Sequence, residues 1–275
     1  MKIVLSRKGF DSAAGRVASP IFPDGRMLSL PIPHPPGIWT YQDILFDGCP
    51  IGELVSDLTG GRRGPSDHAH LDQDLRADAI PRKAGWRPLF GQDSAAQSHL
   101  AKQGVGPGDL FLFFGWFRRV RRANGHWSYV PNAPDLHVLF GWLEIAEVVS
   151  LAEEWTAMPH WAAGHPHLHE VSAKRAKNNT LYVSSRVVDG GIGAGTFDSY
   201  RAALRLSAED HRRSRWQLPA WFSPEGLSCH ANRSLWRKTE TGMILDTVRG
   251  QEFVLDGDRY PESGPWARGL IDETA

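Results

Sequence analysis

Three stretches of the chain carry side chains whose types and spacing suit chemistry. The first is Ser6-Arg7-Lys8-Gly9-Phe10-Asp11-Ser12, which follows a short apolar run. Arg7 and Lys8 bring positive charge, while Ser6, Ser12 and the backbone N–H groups bring donors, a set that can surround a phosphate. The spacing is not that of a Walker loop, and a solvated basic turn would read the same way. Lys8 and Asp11 are the catalytic candidates at this phosphate end and are expected in a concave site, because binding groups gather on loops held by rigid strands. Asp24, in the turn Phe22-Pro23-Asp24-Gly25, is a further catalytic candidate that also suits a plain turn. The second stretch is His68-Ala69-His70-Leu71-Asp72-Gln73-Asp74. If it is extended, His68, His70, Asp72 and Asp74 share one face. Histidine and carboxylate are ligand types of zinc and non-haem iron, so His70 and Asp72 are candidates both for catalysis and for a divalent metal. The bland alternative is a polar loop whose aspartates cap a helix. His165-Pro166-His167-Leu168-His169-Glu170 repeats the alternation, although 12 histidines in 275 residues make some clustering expected.

The elements that must position these groups read as strands more than helices. Residues 2–5 predict a buried strand, 27–33 a second strand ended by prolines, and 41–58 a helix interrupted at Cys49-Pro50. Residues 60–75 predict a loop and 94–104 a helix closed by Gly104. Residues 108–120, 126–130 and 135–149, rich in β-branched and aromatic side chains, predict adjacent antiparallel strands joined by polar turns. A helix is expected over 150–164 with Ser150 as N-cap and Glu153 completing a capping box. Strands follow at 180–188, 204–207 and 243–256.

Composition narrows the functional classes. Hydrophobic residues make up 41% and charged residues 23%, which is ordinary for a globular chain and argues against disorder. Lys plus Arg and Asp plus Glu both number 31, so no global positive field draws in a phosphate backbone; a nucleic-acid partner must meet a local patch, or be a free nucleotide. Two cysteines, Cys49 and Cys229, are too few for a disulfide framework or a thiolate zinc site and fit a reducing cytoplasm. The N-terminal apolar run is too short for a signal peptide, and no apolar stretch approaches a membrane span. The expected arrangement is a single unit over 1–275.

The stretch Gly108-Asp109 followed by an apolar strand, then Gly141-Trp142-Leu143-Glu144-Ile145, resembles the small β-barrel of the pseudouridine synthase and archaeosine transglycosylase (PUA) type, which includes readers of modified bases. The resemblance implies a PUA-like β-barrel core with flanking helices in an α+β fold, and a pocket in which Trp116, Trp127 and Trp142 stack a flat ring, worth roughly 1–3 kcal/mol per base. A wider resemblance rests on SRKGFDS, SPIFPDG, LSLPIP, HAHLDQDL, LFLFFGWFR, HPHL, NNTLYV, GTF, WQLPAWF, LSCHAN and RGQEFV, in that order. Together these are similar to the third family of nucleotide modification associated domains, found in bacteria and phages. It implies a role near nucleotide or DNA base modification; the polar motifs at the strand ends, read by themselves, favour an enzyme over a reader of modified bases or a structural partner of modification enzymes. The order His70, Asp72, His137 also resembles the facial triad of iron and 2-oxoglutarate oxygenases, which makes His137 the expected third metal ligand. The co-substrate arginine expected about ten residues further on is missing. Convergence of Lys8, Asp11, His70, Asp72 and a tryptophan such as Trp116 on one pocket would favour an enzyme.

Overall fold

The apolar run at the start forms a strand because Ile3, Val4 and Leu5 have neighbours on both sides: all three are fully buried. In the computed structural model, which describes residues 1–34, 37–151, 159–168, 177–187, 191–209 and 212–273, this strand is β1 (Ile3–Arg7). It is followed by β2 (Ser19–Ile21), β3 (Ile32–Pro33), β4 (Trp39–Thr40), β5 (Leu45–Phe46), β6 (Cys49–Pro50), α1 (Gly52–Thr59), β7 (His68–His70), β8 (Gln73–Asp74), β9 (Leu89–Gln92) and α2 (Ser94–Lys102). Then come β10 (Leu110–Ala123), β11 (His126–Tyr129), β12 (Leu136–Ser150), β13 (Thr180–Ser184), β14 (Ala194–Thr196), β15 (Arg215–Leu218), β16 (Trp236–Thr239), β17 (Gly242–Asp246), β18 (Glu252–Leu255) and α3 (Ser263–Asp272).

The long strands follow the sequence pattern closely. β10 and β12 pair antiparallel, Leu110 opposite Glu144 and Phe117 opposite Leu136, with a bulge between Phe113 and Phe114. β10 turns into β11 through Asn124 and Gly125, at φ 51° and 85°, the two left-handed residues that a tight hairpin turn requires. The main sheet has ten strands in the order β18-β1-β10-β12-β13-β9-β8, with β2 and β11 also on β10 and β14 also on β12. β1 lies parallel to β10 and antiparallel to β18, so strands from both ends of the chain sit side by side. Because both faces of β10 are covered, its sequence reads as an unbroken apolar run. Phe111 and Phe113 meet Phe90 and Tyr182 on one face, and Phe114 meets Trp216 and Phe253 on the other.

The fold is strand-rich α+β, but the expected closed barrel is not found among the described residues. The sheet is an open path: β18 and β8 do not pair, and β8 is two residues long. Several local expectations are corrected. Residues 27–31 form no strand beyond a Met27 bridge to Ile21, because the prolines leave only Ile32–Pro33 able to pair. Residues 41–51 hold the small β5–β6 hairpin, turned by Asp47 and Gly48 at φ 51° and 72°, so the helix begins only at Gly52. The stretch 60–75 is not all loop; β7 pairs with both β3 and β4. Residues 204–207 make a 3-10 turn at Ala202–Leu204 and isolated bridges instead of a strand. Most of the helix expected over 150–164, with Glu153, lies outside the described residues; Ser150 is the last residue of β12 and His160–Ala162 a 3-10 turn.

Candidate functional site

Alternation along β1 separates its last residue, Arg7, from Lys8, which follows it. Arg7 turns to the face that carries Phe114, Trp216 and Phe253, and Lys8 to the face that carries Phe90, whose ring lies 4.5 Å from Lys8 Nζ. Two polar regions result, one on each face.

On the first face an open cleft of about 820 Å³ is lined by Arg7, Arg212, Arg213 and Arg249, with hydroxyls from Ser12, Ser214 and Thr247. Its aromatic floor is packed on itself: the Phe114 and Trp216 rings meet edge to face at 5.0 Å and Trp216 is fully buried. Arg212 is matched by Asp246 at 3.2 Å and Arg7 only loosely by Asp11 at 3.6 Å. Arg213 and Arg249 meet no carboxylate among the described residues, and Arg213 lies over the Trp116 ring at 4.1 Å. Burial, opposed by Asp11 and reinforced by Arg213 and Arg249, pulls the Arg7 pKa below its ordinary value. Four arginines against the Asp11 and Asp135 carboxylates in the lining leave the cleft positive in a chain whose net charge is zero. His137 lies in its wall, where burial and then Arg213 and Arg7 bring its pKa down to about 3. Its Nδ1 accepts the Trp216 indole N–H at 2.9 Å, so it is a neutral structural acceptor.

On the second face Lys8 is 5% exposed along its side chain and pairs with Glu252 at 3.1 Å. Glu252 Oε1 also accepts from Ser6 Oγ at 3.1 Å and Gln92 Nε2 at 2.6 Å, while its buried Oε2 has no hydrogen-bond partner. Beyond Lys8 lies a histidine group around Asp72. His70 Nδ1 is 2.5 Å and His167 Nε2 3.4 Å from Asp72 Oδ1. One ligand atom from each of the three residues lies within 4.8 Å of the others, the spacing of a metal centre with two histidines and one carboxylate. Burial alone would raise the Asp72 pKa, but His70, His167 and Lys8 hold it well below the usual carboxylate range. Its side chain keeps 19% exposure, while those of His70 and His167 are buried.

A family model described as nucleotide modification associated domain 3 matches residues 2–256. The chain belongs to this family. No curated protein and no solved structure matches it. The family's description ties the domain to nucleotide modification, and no helix among the described residues is long and apolar enough to cross a membrane.

Within this nucleotide modification associated domain, the residues singled out from sequence occupy several places. Arg7, Asp11 and Ser12 line the cleft, and Lys8, Ser6, His70 and Asp72 gather on the opposite face. The single pocket expected to hold Lys8, Asp11, His70, Asp72 and a tryptophan is not formed among the described residues: Asp11 lines the cleft without Lys8, His70 or Asp72. Asp11 secures its own loop, its carboxylate accepting the N–H groups of Ala13 and Ala14 at 2.7 Å. Asp24 is half exposed and bound to Arg26, as a turn residue would be. The three tryptophans do not share a wall. Trp116 is capped by Arg213 and donates to Asp135, Trp127 packs edge-on against Phe22, and Trp142 packs on Phe197. His137 is not the third member of the histidine group, because it sits in the cleft wall; His167 takes that place. His169 and Glu170 lie outside the described residues. Residues that sequence reasoning passed over are Arg212, Arg213, Arg249 and Glu252. The basic run Arg212-Arg213-Ser214-Arg215 was the available signal for the first two.

Proposed function

We propose that this chain handles a nucleotide during base modification, holding its phosphates in the arginine cleft. The observation that carries the reading is the cleft itself: four arginines converge, two have no carboxylate partner among the described residues, and Ser12, Ser214 and Thr247 share the lining. Guanidinium groups fit phosphate oxygens bidentately, and a bound phosphate relieves the repulsion that crowds Arg7 against Arg213 and Arg249. The closed aromatic floor offers phosphate contacts more readily than stacking. Lys8, Glu252, Asp72 and its histidines lie on the opposite face of the sheet from this cleft, so the cleft supports binding of the nucleotide and turnover is a separate question.

Calorimetric titration tests this with a deoxynucleoside triphosphate, the matching nucleoside and a short single-stranded oligonucleotide. The triphosphate or the oligonucleotide should bind, and the nucleoside should not. Charge-assisted hydrogen bonds contribute about 1.5–3 kcal/mol each, so Arg213→Ala or Arg249→Ala should weaken binding roughly 10- to 100-fold. Equal affinity for nucleoside and triphosphate, or no loss in the double variant, overturns the reading. Mass spectrometry of the nucleotide after incubation reads turnover directly.

A further inference from the structure

We infer that His70, Asp72 and His167 bind one first-row divalent transition-metal ion, with open coordination positions left for a ligand. The inference stands apart from the cleft and does not depend on what the cleft holds. Three ligand atoms within 4.8 Å of one another bring together two imidazoles and a carboxylate, a donor set suited to zinc, iron(II) or manganese(II).

The hydrogen bonds around the group carry the argument further than proximity. Asn179 Nδ2 donates to the His167 carbonyl at 3.2 Å, which orients the amide and turns Asn179 Oδ1 toward His167 Nδ1 at 2.6 Å. An amide oxygen only accepts, so His167 Nδ1 carries a proton. In the neutral ring Nε2 then presents a lone pair to the carboxylate oxygen of Asp72, 3.4 Å away. A metal ion bound by both acceptors would satisfy them together; Lys8, the cation already acting on Asp72, is itself paired with Glu252. A hydrogen-bond acceptor on the far ring nitrogen is the usual way of fixing a metal-binding histidine. His165 is held differently: its Nδ1 accepts the His167 N–H at 3.3 Å, so Nε2–H donates to the Asp72 carbonyl at 3.0 Å. It braces the backbone at Asp72 and has no lone pair left for the ion.

The test uses the full chain, stripped with a chelator and titrated with Zn2+ by calorimetry and with Co2+ by visible absorption. One equivalent should bind, with Co2+ giving ligand-field bands. His167→Ala should weaken Zn2+ binding by at least about 100-fold, and Asn179→Ala, which keeps all three ligands, by about 10- to 100-fold. His137→Asn should leave the stoichiometry and the Co2+ spectrum unchanged. If His167→Ala does not fold, judged by circular dichroism, Asp72→Asn and Asn179→Ala provide the same comparison. Three results would each overturn the assignment. They are absence of binding by the unmodified chain, binding indifferent to Asp72→Asn and Asn179→Ala, and a nitrogen-15 spectrum of the Zn2+-treated protein with both His167 ring nitrogens protonated. The last would mean that a proton fills the gap and that the group is a hydrogen-bonded imidazolium–carboxylate cluster.

Discussion

Lys8 and Glu252 form a nearly fully buried ion pair, and that makes each intolerant of losing the other. Removing one partner leaves an uncompensated charge beside Phe90, so Lys8→Met should cost about 3–5 kcal/mol of stability. The double variant Lys8→Met with Glu252→Gln should cost less than the sum of the two singles. Denaturant unfolding of the three proteins measures the coupling. His137 gives a pH-dependent counterpart. Its folded pKa of about 3 lies below the unfolded value of about 6.5. Between these values the unfolded chain binds the extra proton, so stability is undiminished above about pH 6.5 and falls as pH drops towards 3. Between pH 7 and 5 the chain should lose about 2 kcal/mol more than His137→Asn, whose amide oxygen can still accept from Trp216. Unfolding midpoints at both pH values check it. Arg7, Lys8, His70 and Asp72 were legible as chemistry-bearing residues because charge and ligand type are local properties. The absence of His137 from the histidine group was not legible, since only packing against Trp216 decides which way that ring turns.

At the scale of elements, β9 and the 3-10 turn Pro166–Leu168 fix the histidine group by a close approach that only glycine permits. A Cβ on Gly91 would lie 2.5 Å from His167 and 2.7 Å from His165 ring atoms. Gly91→Ala should therefore push the turn away, costing about 1–3 kcal/mol by overpacking, and should weaken Zn2+ binding alongside. Gly106→Ala, which meets nothing within 4 Å, serves as the control, and thermal unfolding with calorimetry reads both. The long strands β10 and β12 were legible because their apolar runs are too long and too β-branched and aromatic to be anything but buried strands. β3, β4, β7 and β8 are two or three residues each, too short to leave a periodic signal, and they exist because the partners exist.

Across the whole molecule, β18 reaches back to pair with β1, carrying Glu252 opposite Ser6. α3, beyond the family match, buries Ala267, Leu270 and Ile271. A chain ending at Asp256 loses the burial of Leu270 and Ile271, together about 3–6 kcal/mol, a large share of ordinary domain stability. Urea unfolding of that shorter chain should show the loss. The full chain is expected to unfold in one cooperative transition, since strands from both termini share the sheet. The sequence by itself determined the strand-rich α+β class, the family and the residue types available for chemistry, because periodicity, composition and motif order are written along the chain. Only tertiary structure decided that the sheet stays open, that Arg7 and Lys8 serve opposite faces, and that His167 stands beside Asp72. Those outcomes rest on pairings between residues 95 to 246 positions apart, and no local pattern encodes which distant partner a strand edge or a ring nitrogen will meet.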